Sequence, residues 1–149
     1  IIGNPDQSSN QITNMAKQRP FVEVVSRLPA NELISHYRWA DVFVMASTSE
    51  TFGLVYGEAL SQGTPIVCVA GEGFADWITE GITGIPVKDS RNVHEIVDAI
   101  VTIAEQGSPS ACIECGKRFR WDTIARMHRD LYKAAIEQHN ADLPSRMNS

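Results

Sequence analysis

The chain has 149 residues, 43% hydrophobic and 21% charged, with a net charge of -5. That length fits one domain able to bury roughly 68–70% of its unfolded surface. The acidic balance argues against a broad nucleic-acid face, and no apolar run approaches the ~20 residues of a membrane span.

Ile1 to Gly3 reads as a strand end whose first strand region lies upstream, because the chain starts abruptly without an initiator Met or a signal-peptide pattern. Asn4-Pro5-Asp6 is a turn leading to a helix from about Ser8 to Lys17, and Pro20 stops that pattern. Phe21 to Val25 is rich in β-branched residues and predicts a short strand. Asn31 can cap the next helix, whose Leu33, Ile34, Tyr37, Trp39 and Ala40 supply an apolar face. Asp41 to Ala46 is the next strand.

From Ser49 to Pro65 a loop runs into a helix, which Gly63-Thr64-Pro65 ends because Gly accepts the left-handed conformation and Pro cannot continue. Ile66 to Ala70 is a buried strand, Gly71-Glu72-Gly73 a loop, Ala75 to Glu80 a short helix, and Ile85 to Val87 a further strand. Asp89-Ser90 can cap a helix in which Val93, Ile96, Val97, Ile100, Val101 and Ala104 recur at helical spacing. After Gly107-Ser108-Pro109 a helix of about ten residues runs to Arg118. Trp121, expected as a core anchor, starts a last helix to roughly Gln138 that carries His128 on a packing face, and residues 140–149 carry no pattern and are expected as a disordered tail.

Strands that read as continuous apolar runs and alternate with helices predict an α/β fold, a Rossmann-like parallel sheet with helices on both faces. One domain, residues 1–139, holds it. Cys68, Cys112 and Cys115 are too few for a disulfide framework and fit a reducing, cytoplasmic compartment. Cys112 and Cys115 form a lone CxxC without a second pair, so two small helix residues are preferred over a zinc site.

In open α/β sheets ligands bind beyond the carboxyl ends of the strands, where the loops Ser47 to Gly53 and Gly71 to Gly73 should meet. The first loop enters a helix whose free N–H groups, from Phe52 to Val55, favour a phosphate or carboxylate, and Gly53 lets a ligand approach the backbone. Glu58, about a turn further in, can accept two hydrogen bonds from a vicinal diol such as a ribose. Glu50, in the loop, can accept hydrogen bonds from another hydroxylated group. The plainer alternative is that an acid near a helix start only complements the dipole; Gly57, costly inside a helix, weighs against it.

Glu50-Thr-Phe-Gly-Leu-Val-Tyr-Gly-Glu58-Ala-Leu-Ser-Gln-Gly-Thr-Pro-Ile66 resembles the Glu-x7-Glu signature of retaining GT-B glycosyltransferases, the group 1 type that includes bacterial polysaccharide and glycolipid assembly enzymes. The similarity extends through Tyr37, Ala40-Asp41-Val42 and Ser47 before the signature, and through Gly73, Asp76, Ile78, Glu80-Gly81 and Thr83-Gly84 after it. Arg120-Trp121 through Tyr132 resembles the closing helix of that family, so the likeness runs from Ile2 to about Ala135.

The resemblance implies the C-terminal, donor-binding half of a GT-B hexosyltransferase using a nucleotide sugar, UDP-linked, in polysaccharide or glycolipid assembly. Glu58 would bind the donor ribose and Glu50 would contact the donor sugar. The amides around Phe52, Gly53, Leu54 and Val55 would hold the diphosphate or sugar. Arg27 and Leu28 would pack on the nucleobase, and Gly71, Glu72, Gly73 and Phe74 would border the donor sugar. No metal or other cofactor is implied, because amides and basic side chains neutralise the leaving diphosphate.

The chain departs from the family where Glu72-Gly73 and Asp76 stand for a frequent Gly-Gly followed by Glu, and where Ala46 replaces a frequent Pro. The family's basic pair for the diphosphate, and the domain that binds a saccharide or lipid-linked acceptor, lie upstream of the segment matching Ile1. The resemblance therefore implies a piece unable to transfer sugar alone, from an enzyme that can associate peripherally with the inner face of a membrane. A nucleotide-sugar epimerase, a glycosyl phosphorylase of the same plan, and a non-catalytic nucleotide-binding module are the alternatives.

Overall fold

An apolar run without polar alternation needs cover on both faces, and the run at 66–69 has it. The computed structural model describes residues 1–3 and 9–147. Their order is α1 (Ser9–Lys17), α2 (Ala30–Trp39), β1 (Phe43–Val44), α3 (Leu54–Ser61), β2 (Ile66–Val69), β3 (Gly84–Val87), α4 (Val93–Gln106), α5 (Pro109–Lys117) and α6 (Trp121–Met147). The three strands form a parallel sheet in the order β1-β2-β3, with Phe43 opposite Ile66 and Val69 opposite Val87.

All four residues of β2 are buried, and they divide by parity as a pleated strand must. Ile66 and Cys68 join Tyr37 of α2, Tyr56, Ala59 and Leu60 of α3, Phe74, and Cys112 of α5. Val67 and Val69 join Val87 and, from α4, Ala99 and Ile103. Helices therefore cover both faces, as the sequence predicts.

The packing of α5 against α3 is close. Gly116 is buried, and a Cβ there would lie 2.6 Å from the backbone N and Cα of Ser61. Only glycine lets the two helix backbones approach so far. Burial pushes the Cys68 and Cys112 thiols up to about 11, so both stay protonated at neutral pH. Among the described residues there is no group of three or more potential metal-ligating side chains, and no helix long and apolar enough to cross a membrane.

Several expected elements differ. The strand expected at Phe21 to Val25 is a single parallel bridge between Ile2 and Val25, and Phe21 is 83% exposed. β-branched composition favours a pleated, half-buried surface, and among the described residues this segment pairs only with the short stretch around Ile2. The strand expected over Asp41 to Ala46 contracts to Phe43–Val44. Pro29, extended at φ -65 and ψ 155, stands at the N-cap of α2 in place of Asn31. Asn92, not Asp89 or Ser90, caps α4 by accepting the Glu95 N–H. The helix expected at Ala75 to Glu80 is a single 3-10 turn, Ala75–Trp77.

The turn expected at Asn4-Pro5-Asp6 and the helix start at Ser8 lie outside the described residues. The backbone of the last helix continues to Met147, beyond Gln138 and through most of the stretch expected to lack structure. Trp121 is 79% exposed; the aromatic anchor of that region is Phe119, whose ring lies 4.8 Å from Phe74 and 5.7 Å from Phe52. His128 is exposed as well, with its Nδ1 2.9 Å from the Ile124 carbonyl oxygen.

Candidate functional site

β1 and β2 are adjacent and parallel, so the loops that leave their carboxyl ends emerge side by side. The first loop enters α3 through Gly53, whose φ of +72 is left-handed. A Cβ at Gly53 would also stand 2.6 Å from the Tyr56 ring, so conformation and space both select glycine. The Tyr56 hydroxyl donates to the Met45 carbonyl at 2.7 Å, tying α3 to the exit of β1. Burial raises the Tyr56 phenol well above its ordinary range, with smaller contributions from Cys68, Glu50 and Glu72, so it remains a donor.

The second loop is locked to the first. The Glu50 N–H donates to the Glu72 carboxylate at 3.1 Å. Gly73 passes so close to the first loop that a Cβ would lie 2.6 Å from the Thr51 carbonyl oxygen. The rings of Phe52 and Phe74 meet edge-on at 5.5 Å. Glu50, Phe52, Glu72 and Gly73 thus form one continuous lip; Phe74, expected to border a ligand, is instead buried beneath it in the core.

α3 begins at this lip. Its first-turn amides have no partner four residues back within the helix, which makes its N-terminus a place for an anion. Leu54 is exposed and Val55 half-buried. Glu58, four residues after Leu54, is exposed on the same stripe one turn further along. Its carboxylate accepts a hydrogen bond from the Tyr37 hydroxyl at 3.2 Å. Burial and then the neighbouring Glu58 carboxylate raise the Tyr37 phenol, so it too stays a donor.

Arg27 is exposed and Leu28 half-buried, on a different segment, immediately before Pro29 and α2. Two open clefts of about 400 and 260 Å3 lie elsewhere, one along β3 and the start of α4 with Asn92, His94 and Asp98, the other around Arg38, Gln62 and Gly107. Neither is lined by Glu50 or Glu58. The candidate site is marked by the succession of polar groups along the lip and the exposed stripe of α3.

Sequence reasoning proposes both acids but does not show the bonds around them, from the Glu50 N–H to Glu72 and from the Tyr37 hydroxyl to Glu58. Glu72 stood out as a departure from pattern, and its bond to the Glu50 N–H requires the relative height of two loops. Tyr37 and Tyr56 look like ordinary core aromatics in the sequence; only their hydroxyls reveal a further role.

Residues 1–119 match the family model described as glycosyl transferases group 1. Over 119 residues the chain is 33% identical to the D-inositol 3-phosphate glycosyltransferase of Corynebacterium glutamicum (strain R), covering 76% of this chain and 28% of that protein. It is 30% identical over 152 aligned residues to the protein of the same name from Streptomyces griseus, covering 93% of this chain and 32% of the relative. The chain thus spans less than a third of the length of each of these relatives.

Among solved structures, sucrose-phosphate synthase from Thermosynechococcus elongatus superposes with a TM-score of 0.68 at 24% identity, covering 92% of this chain and 38% of that one. Anabaena HepE in complex with UDP-glucose superposes with a TM-score of 0.64 at 18% identity, covering 89% and 40%. These likenesses establish the fold, a parallel α/β unit of the GT-B type. The chain belongs to the glycosyl transferases group 1 family.

Proposed function

We propose that this chain, through residues 1–139, is the donor-binding part of a retaining glycosyltransferase that moves a sugar from a UDP-sugar to a saccharide or lipid-linked acceptor. The observation that carries the reading is the succession of polar groups from the locked lip along the exposed stripe of α3. A nucleotide sugar offers sugar hydroxyls, then a diphosphate, then a ribose diol. Glu50 would meet the first, the amides of Phe52 to Val55, on the entry to α3 and in its first turn, the second, and Glu58 the third. The amides are fixed dipoles and need no reorganisation as charge develops on the leaving diphosphate.

Arg27 and Leu28 would face the base, and Gly71, Glu72 and Gly73 the sugar, with the buried Phe74 ring supporting them from beneath rather than touching the ligand. No metal or cofactor enters this proposal. The acceptor would be held by a separate domain of a longer protein, working in the cytoplasm or at the inner membrane face. The relatives' names point to a further acceptor class, a phosphorylated cyclitol.

Incubation of the intact protein with UDP-, GDP- and ADP-sugars and an acceptor panel that includes D-inositol 3-phosphate, followed by proton NMR, tests this. The expected result is release of UDP coupled to a glycoside with the donor's anomeric configuration. An inverted product, an epimerised donor, or phosphorolysis would replace the proposal with another reaction, and nucleotide binding without turnover would indicate a binding module.

A further inference from the structure

We propose that Tyr37 is a positioning residue for Glu58, its hydroxyl holding that carboxylate in the orientation that accepts the donor's ribose. The inference rests on the ribose role given above to Glu58. Tyr37 is 6% exposed, in the last turn of α2, and is fixed from several sides. Its ring packs edge-on against Phe43 at 5.6 Å and 77°. Its carbonyl accepts a hydrogen bond from the buried Thr64 hydroxyl at 2.5 Å. From this rigid base the phenol reaches the exposed helix stripe and donates to Glu58 Oε2 at 3.2 Å.

A long, exposed carboxylate otherwise samples many rotamers and must give them up on binding. The Tyr37 bond removes part of that freedom before a ligand arrives, which is preorganisation. The chemistry leaves room for the ligand. A carboxylate has about four acceptor positions, and one phenol takes one of them. Oε1 and the second lone pair of Oε2 remain for the two hydroxyls of a vicinal diol. Because burial keeps the phenol protonated, the donor is present throughout the neutral range. The two partners lie on different helices, α2 and α3, so the bond also fixes the carboxylate relative to the sheet that both helices cover.

The test is calorimetric titration of the intact protein with uridine diphosphate and with 2′-deoxyuridine diphosphate, in the wild type, Tyr37→Phe, Glu58→Ala and the double variant. Tyr37→Phe keeps the ring against Phe43 and removes only the hydroxyl. It is expected to weaken uridine diphosphate binding about 5-fold, with a smaller loss against the deoxy ligand and an unchanged melting temperature. In the Glu58→Ala background, Tyr37→Phe should cause no additional loss. Equal losses from Tyr37→Phe in both backgrounds, or none while Glu58→Ala alone weakens binding, would overturn the positioning role and leave the ribose role standing. Full affinity in Glu58→Ala would remove the ribose role, and the positioning role with it.

Discussion

Glu58→Ala is expected to weaken binding of uridine diphosphate by about 10- to 100-fold in the intact protein, while leaving its melting temperature unchanged. A hydrogen bond to a charged acceptor contributes about 1.5–3 kcal/mol when its partner is lost. The proposed diol makes two such bonds to one carboxylate, at an exposed position where water recovers part of the loss. Between about 1.4 and 2.8 kcal/mol remains, and each 1.4 kcal/mol is tenfold in affinity. Stability should not follow, because Glu58 is exposed on α3 and alanine is a strong helix former. Calorimetry and thermal melting on the same preparations separate the two effects. A fall in melting temperature without a change in affinity would make Glu58 a structural residue.

Gly116→Val is expected to have the largest effect on stability. Its first added carbon would stand 2.6 Å from the backbone of Ser61, where no side-chain rotamer can relieve the overlap. α5 must then move away from α3, loosening the packing of Cys112 against Leu60 and Tyr56 in the same cluster. Overpacking of this kind costs about 1–3 kcal/mol, and valine gains little over glycine as a helix former. A loss of about 2–3 kcal/mol lowers the melting temperature of a domain this size by roughly 5–10 °C. Donor affinity should fall too, because α3 carries both the anion-binding amides and Glu58. Thermal melting followed by circular dichroism provides the check; an unshifted transition would mean that the two helices are not held at this distance.

The elements most legible in the sequence are those whose physics is local. The strand at Ile66 to Val69 is legible because a short, β-branched apolar run set between Pro65 and Ala70-Gly71 is too short for a buried helix and fits a strand covered on both faces. α4 is legible because its apolar residues recur at helical spacing and Gly107 ends it. Gly53 is expected from the sequence only as a place where a ligand can approach the backbone; its left-handed φ of +72 and the nearness of the Tyr56 ring are a separate reason for glycine that the sequence does not show.

What was not legible depends on distant partners. The stretch from Phe21 to Val25 has strand composition, yet a strand exists only through its neighbour, and among the described residues that neighbour offers a single bridge, at Ile2. Trp121 and Phe119 are two residues apart and equally suited to a core; the turn out of α5 points Phe119 inward against Phe52, Phe74 and Trp77 and leaves Trp121 outside. Within the candidate site, Glu50 and Glu58 are singled out by the resemblance of the stretch that they bracket, not by spacing alone. The Glu72 carboxylate beneath the Glu50 amide, and the Tyr37 hydroxyl on Glu58, bridge 22 and 21 positions of sequence. No local pattern encodes contacts of that range.

The amides at the head of α3 carry the most distinctive prediction. Titrating uridine diphosphate into the 15N-labelled intact protein, beside uridine alone, reports on them individually. Saturable shifts at Phe52, Gly53, Leu54 and Val55 with the diphosphate, and much smaller shifts there with the nucleoside, are the expected result. Diphosphate-induced shifts confined to the cleft at Asn92, His94 and Asp98, with the α3 amides unmoved, would overturn the placement of the donor.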